Sequence, residues 1–130
     1  MHQLLLLAAL LQPAAGATPK GQQAVGTISG GNPVTIETRT IKRVDDEVTA
    51  TFRTTFLKPA KAPGGEWFGS RTVVTVRCGA GTAAVKENRY YGDANFTKVA
   101  SERLVKIPGY AAPVPGSVPA LALKYLCAKP

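Results

Sequence analysis

The side chains that most often carry chemistry in a small protein are thiols, imidazoles and converging carboxylates, and here they are few. The only histidine is His2, at the extreme N-terminus, so residues 18–130 contain none. Ser-His-Asp and Cys-His nucleophilic systems, and His-ligated zinc or copper, are therefore excluded from that stretch. Two cysteines are present, Cys78 and Cys127. In an exported chain an even count reads as a disulfide, with a pair of free thiols as the alternative. Asp45, Asp46 and Glu47 are adjacent, and neighbours on a turn do not converge as a glycosidase pair must. A solvated turn is their simpler reading, a weak calcium contact the other. Asp93 in Tyr-Tyr-Gly-Asp-Ala-Asn is a turn residue by type. Gly79 to Ala84 fits the loose GxGxx(G/A) pattern, but a strand rather than a helix follows it, which makes it a hairpin turn. These residues call for no catalytic group, no metal and no cofactor, and a His-free hydrolase is the weakest of the functional readings.

The N-terminus speaks to compartment. Leu4 to Leu11 is unbroken apolar sequence, and Ala15-Gly16-Ala17 has the small-x-small form of a signal-peptidase site. The run is less than half of the roughly 20 residues that a spanning helix needs. Residues 1–17 are thus expected to be a signal peptide, and the remainder a periplasmic or secreted domain without a membrane span. No cysteine adjoins the cleavage point to receive a lipid. Bridging Cys78 to Cys127 after export closes a loop of about 50 residues, for which the chain-entropy account gives roughly 4 kcal/mol.

The elements that must position these groups are mostly strands. Residues 18–33 are polar and Gly-rich without periodicity, and are expected to be a flexible N-terminal segment before a domain at 34–130. Val34 to Arg43 alternates, and Val48 to Leu57 sets Val48, Ala50, Phe52, Thr54 and Phe56 against Thr49, Thr51, Arg53 and Thr55. Lys58 to Glu66 reads as a loop. A third strand from Trp67 to Cys78 places Thr72, Val74, Val76 and Cys78 on one face and Arg71, Val73, Thr75 and Arg77 on the other. Ala83 to Tyr91 and Phe96 to Val105 complete about five strands of a small antiparallel sheet. Ser117 is placed as an N-cap and Pro119 in the first turn of a helix over Val118 to Ala128. The fold class is mainly β within α+β, the C-terminal helix being tethered by the disulfide.

With Cys78 facing inward, Arg71 and Arg77 face outward, and strand phase adds Arg53, then Arg39, Arg43, Lys86 and Arg89. The chain has a formal net charge of +8, which favours anionic partners. Arg suits them because its planar fork binds two oxygens of a carboxylate, sulfate or phosphate. The plainer reading is scattered solvated charge, interrupted by Glu37 and Glu87. Trp67, Tyr90, Tyr91 and Tyr110 could stack on a ligand, but Tyr90 and Tyr91, adjacent in a strand, must point to opposite faces. No RNP-like run occurs, and no nucleic-acid partner is expected.

Ser70 eight positions before Cys78, the Tyr90-Tyr91-Gly92 step, and Pro115-Gly116-Ser117 about ten positions ahead of Cys127 and a terminal helix stand in an order that resembles the surface-adhesin protein E family of exported bacterial proteins. The resemblance spans about residues 36–128. It implies a small antiparallel sheet with a helix held by Cys78–Cys127, and adhesion to host extracellular-matrix proteins. Two features depart from it: the lipoprotein cysteine is missing, and no aromatic residue closely precedes the Pro-Gly-Ser step unless Tyr110 fills that role. A binding domain for a protein or polyanionic extracellular ligand is the leading expectation. An envelope assembly factor recognising another protein by sheet-edge pairing is the alternative.

Overall fold

The computed structural model describes residues 19–128, so the expected signal peptide lies outside the described residues. Six strands follow one another in chain order, each antiparallel to the next: β1 (Gln22–Ile28), β2 (Asn32–Val44), β3 (Glu47–Ala62), β4 (Gly65–Arg77), β5 (Thr82–Tyr91) and β6 (Val99–Leu104). One helix, α1 (Val118–Leu126), closes the described chain. The expected class is met with one strand more than foreseen.

Strand alternation produces the two faces. Along β3, Val48, Ala50, Phe52 and Thr54 are buried, and along β4, Thr72, Val74 and Val76 join them. Val34 and Ile36 of β2 complete a layer against which Val118, Ala122 and Leu126 of α1 pack. These three helical positions are four apart and so lie in one stripe. Phe52 and Ile36 lose all exposure, and each such side chain contributes about 1.5–3 kcal/mol of transfer free energy.

The helix is fixed at both ends. Ser117 Oγ accepts from the Ala120 amide at 3.3 Å, an N-cap at the expected residue. At the other end Cys127 is bonded to Cys78, just past the end of β4, with Cα atoms 5.5 Å apart. Neither thiol remains free, and the Cys78 side of β4 is the core side, as the phase argument required. Arg43, expected on the outward set, instead donates to the Leu126 carbonyl oxygen at 3.1 Å. A guanidinium there satisfies an orphan carbonyl and opposes the negative end of the helix dipole.

Residues 18–33 depart from the expected tether. They contain β1, whose Gln22, Gln23 and Ala24 pair with Glu37, Ile36 and Thr35. Periodicity fails as a signal because the strand bulges between Ala24 and Gly26, resetting its alternation. Gly26 has φ +141°, and a Cβ there would lie 3.0 Å from the Leu121 side chain of α1. Glycine thus allows helix and strand edge to approach. The Lys58–Glu66 loop is also shorter than expected: β3 and β4 continue as a hairpin, with Ala62 opposite Gly65. Pro59 is exposed on this outer part of the ladder, next to the break in pairing between Thr55 and Ala60, where proline is tolerated.

Removing the bridge by Cys78→Ala with Cys127→Ala is expected to destabilise the domain by roughly 2–5 kcal/mol. Urea unfolding of wild type and variant, each with and without reductant, checks this: reductant should shift only the wild-type midpoint.

Candidate binding site on the uncovered sheet face

Only one face of the sheet carries the helix. On the other, register brings Thr35, Arg53, Arg71, Arg89 and Glu102 into one row across β2 to β6. The next row is Glu37, Thr51, Val73, Glu87 and Leu104. Three arginines side by side repel one another, and the neighbouring glutamates answer that repulsion unevenly.

Arg71 is held in a bidentate pair, Nε and Nη2 to the two Glu37 carboxylate oxygens at 2.6 and 2.7 Å. It reaches diagonally across β3, where Thr51 presents a small side chain. The hydrogen-bonded carboxylate outweighs partial burial and holds the Arg71 guanidinium above its usual value. Arg89 is enclosed by Glu102 at 2.6 Å and Glu87 at 2.8 Å and is raised chiefly by the hydrogen bond to Glu102. Arg77, six residues along β4 and so roughly 20 Å away, pairs with Glu47 at 2.9 Å and lies over the Tyr110 ring at 3.6 Å.

Arg53 differs. Among the described residues it has no carboxylate partner; its guanidinium lies over the Phe96 ring at 4.5 Å. It borders an open cleft of about 430 Å³, together with Lys20, Gln22, Arg39, Thr40 and Glu37, whose carboxylate is taken up by Arg71. Arg39 reaches this cleft because β2 breaks register between Glu37 and Lys42. Within the bulge, Thr40 Oγ1 donates to the Glu37 carbonyl at 2.6 Å and accepts from the Thr51 amide at 2.9 Å. Lys86 sits in another break, skipped between the Glu87 and Val85 pairings with β4, and is exposed away from this group. Of the six expected basic positions, the structure brings Arg39 and Arg53 together at the cleft. It neutralises Arg71, Arg77 and Arg89, and leaves Lys86 elsewhere.

Three residues of this face stand otherwise than the sequence suggests. Lys20 lay in the stretch read as a tether. Tyr91 is buried, stacked on Phe96 at 4.8 Å. Phe96, expected to start a strand, is instead in a turn with φ +58°. Its ring covers Gly69, where any Cβ would collide with it. The turn is set by Asp93, whose carboxylate accepts from the Thr97 hydroxyl at 2.6 Å and the Lys98 amide at 2.8 Å. These bonds lower its pKa, the Thr97 hydroxyl chiefly. Asn95-Phe96-Thr97 is therefore the support for Arg53's aromatic neighbour. The Asp45–Glu47 carboxylates do not converge: both Asp46 oxygens accept from the Gly79 amide at 2.9 Å, and Glu47 turns to Arg77.

The class these features define is a protein E-like fold, a six-stranded antiparallel sheet with a disulfide-held C-terminal helix. The particular neighbours are crystal structures of protein E from Haemophilus influenzae. Crystal form II matches with a TM-score of 0.58 and 12% identity, over 85% of this chain and 90% of that one. The Se-Met form gives a TM-score of 0.56 over 85% and 88%, and protein E from a non-typeable strain gives 0.55 over 86% and 78%. At this identity the likeness is one of fold. No family model matches the chain, and no curated protein does.

A lowered pKa means that the Asp93 bonds add stability above the ordinary aspartate value and lose it as pH falls through the folded value. In an NMR titration the Thr97 and Lys98 amides are expected to move upfield together, with a midpoint below about 3.9. Asp93→Ala should abolish that step and loosen Phe96 from Gly69, read as lost ring contacts.

Proposed function

We propose that this chain is an exported, non-catalytic binding domain that grips anionic groups of a protein or polyanionic partner on its uncovered sheet face. The observation that carries this reading is the uneven pairing of the arginines. Arg53 and Arg39, with Lys20, face a shared cleft without ion-pair partners among the described residues, while their neighbours are neutralised. Two forks and an ammonium around one depression can meet a carboxylate or sulfate from several sides. The apolar leader and the disulfide support export, and the protein E-like fold supports surface adhesion as the form this binding takes. Among the described residues no helix is long and apolar enough to cross a membrane.

Arg39→Gln with Arg53→Gln is expected to weaken heparin binding and to lower its log–log salt slope by about two, roughly one per cation removed. Arg77→Gln, on a paired arginine, should leave the slope near wild type. Unchanged heparin binding in the double variant would overturn the reading.

A second reading, an envelope assembly factor, is favoured by the β6 edge. Val99 is 51% exposed and Leu104 64%, and beyond the strand Ile107 is 89% exposed. An edge strand with apolar side chains offers backbone pairing to another chain. Capture of an envelope protein that survives moderate salt and fails with Leu104→Lys would place partner recognition at this edge rather than at the cleft.

A further inference from the structure

A second cavity lies on the helix side of the sheet. It occupies about 280 Å³ beside the first turn of α1, and none of its lining side chains is charged. Ile28, Phe56, Tyr90 and Val118 supply apolar wall, while Ser70 and Asn88 supply polar groups. Ser70, Tyr90 and Ser117, picked out in the sequence for their spacing, all border it.

The polar groups are underused. Ser70 is only 5% exposed and its hydroxyl has no hydrogen-bond partner among the described residues; unlike Thr54 and Thr82 Oγ1 it is not fully sealed, and so opens on the cavity. Asn88 Oδ1 accepts from the Thr72 hydroxyl at 2.6 Å, which leaves the carboxamide N–H donors for another acceptor. Opposite Ser70 on β3, the fully buried Thr54 Oγ1 also lacks a partner. Valine or alanine would pack at such positions without stranding a hydroxyl, and buried polar groups are normally satisfied.

We propose that this cavity binds a small neutral ligand bearing a ring and a carbonyl-type acceptor oxygen. Neutrality follows from the uncharged lining: an ion would lose its hydration without a counter-charge. The ring follows from Phe56 and Tyr90, which lie 6.3 Å apart between centroids and offer aromatic surface. The acceptor follows from Asn88 N–H and Ser70 O–H, both donors without a present use. Size sets an upper bound, since an apolar cavity of about 150 Å³ already holds benzene. The larger volume here admits one ring with one polar substituent. Tyr90 also stacks on Trp67 at 4.0 Å, so the sole tryptophan reports on the wall.

Benzamide is the probe, added to the oxidised full chain and followed by two-dimensional NMR. The expected result is saturable shifts of the Ser70, Asn88 and Val118 amides and of the Trp67 indole N–H, with a Kd of about 1 mM. Acetamide, lacking the ring, and benzoate, carrying charge, should bind at least about tenfold more weakly. Ser70→Ala should leave the unfolding midpoint unchanged or raised, because its hydroxyl is unpartnered, and weaken benzamide about tenfold. Arg39→Gln with Arg53→Gln should leave benzamide binding intact, which separates this site from the basic cleft. Absence of saturable shifts up to the solubility limit of benzamide, or equal affinity in a folded Ser70→Ala variant, would overturn the proposal.

Discussion

A single short helix must cover a much wider sheet, and most of what this molecule presents to solvent follows from that mismatch. Nine helical residues span about 14 Å, whereas six strands set about 4.8 Å apart span roughly 24 Å. Such a helix cannot stand alone in water. It persists because Val118, Ala122 and Leu126 bury into the sheet, Ser117 caps one end, and Cys127 with Arg43 secures the other. The remaining surface of the sheet has to be made compatible with solvent, and the two faces achieve this differently. The uncovered face is built from threonine, arginine and glutamate. The covered face, past the first helical turn, becomes polar around Ser70, Thr72 and Asn88 and leaves a cavity.

Much of this arrangement was legible in the sequence wherever alternation ran without interruption. The phases of β3 and of β4 up to Cys78 were both read correctly, because Val48–Ala50–Phe52 and Val74–Val76 are apolar at every second position and neither stretch is broken by a bulge. The cysteines then fixed which face was inward. Ser117 and Pro119 marked the helix start through capping chemistry, which is local and does not depend on tertiary context.

What escaped detection shares a physical cause. β1 has few apolar residues and a glycine bulge, so its identity rests on pairing with β2 and on Leu121 lying against Gly26. The position of Arg39 depends on a bulge whose hydrogen bonds join Thr40 to Glu37 and Thr51. Phe96 turns back over Gly69 only because Asp93 ties Thr97 and Lys98. Arg43 lies opposite the core residue Val48, because the β2 bulge reverses the phase that places it on the outer face in the sequence, and on the helix side it meets an orphan carbonyl. Each case is a contact between residues far apart in the chain, or a slip in register of one residue in β1 and three in β2, and an odd slip reverses every later side chain.

The same distinction governs the charge. From strand phase the arginines of β3, β4 and β5 read either as one cationic array or as solvated charge interrupted by Glu37 and Glu87. Register places glutamates in the neighbouring row, and bidentate or double pairing of Arg71 and Arg89 consumes most of that potential. Ion pairs of this kind, partly exposed, contribute modestly to stability. Their larger effect is selective, since neutralising two of three adjacent arginines reduces repulsion within the row and leaves Arg53 as its unpaired member, on the side where it meets Arg39 and Lys20. A uniformly basic sheet would attract any polyanion through its summed field. A small cluster of unpaired cations beside an aromatic ring and a bulge must instead discriminate by shape, so recognition on this face is a matter of local geometry more than of net charge.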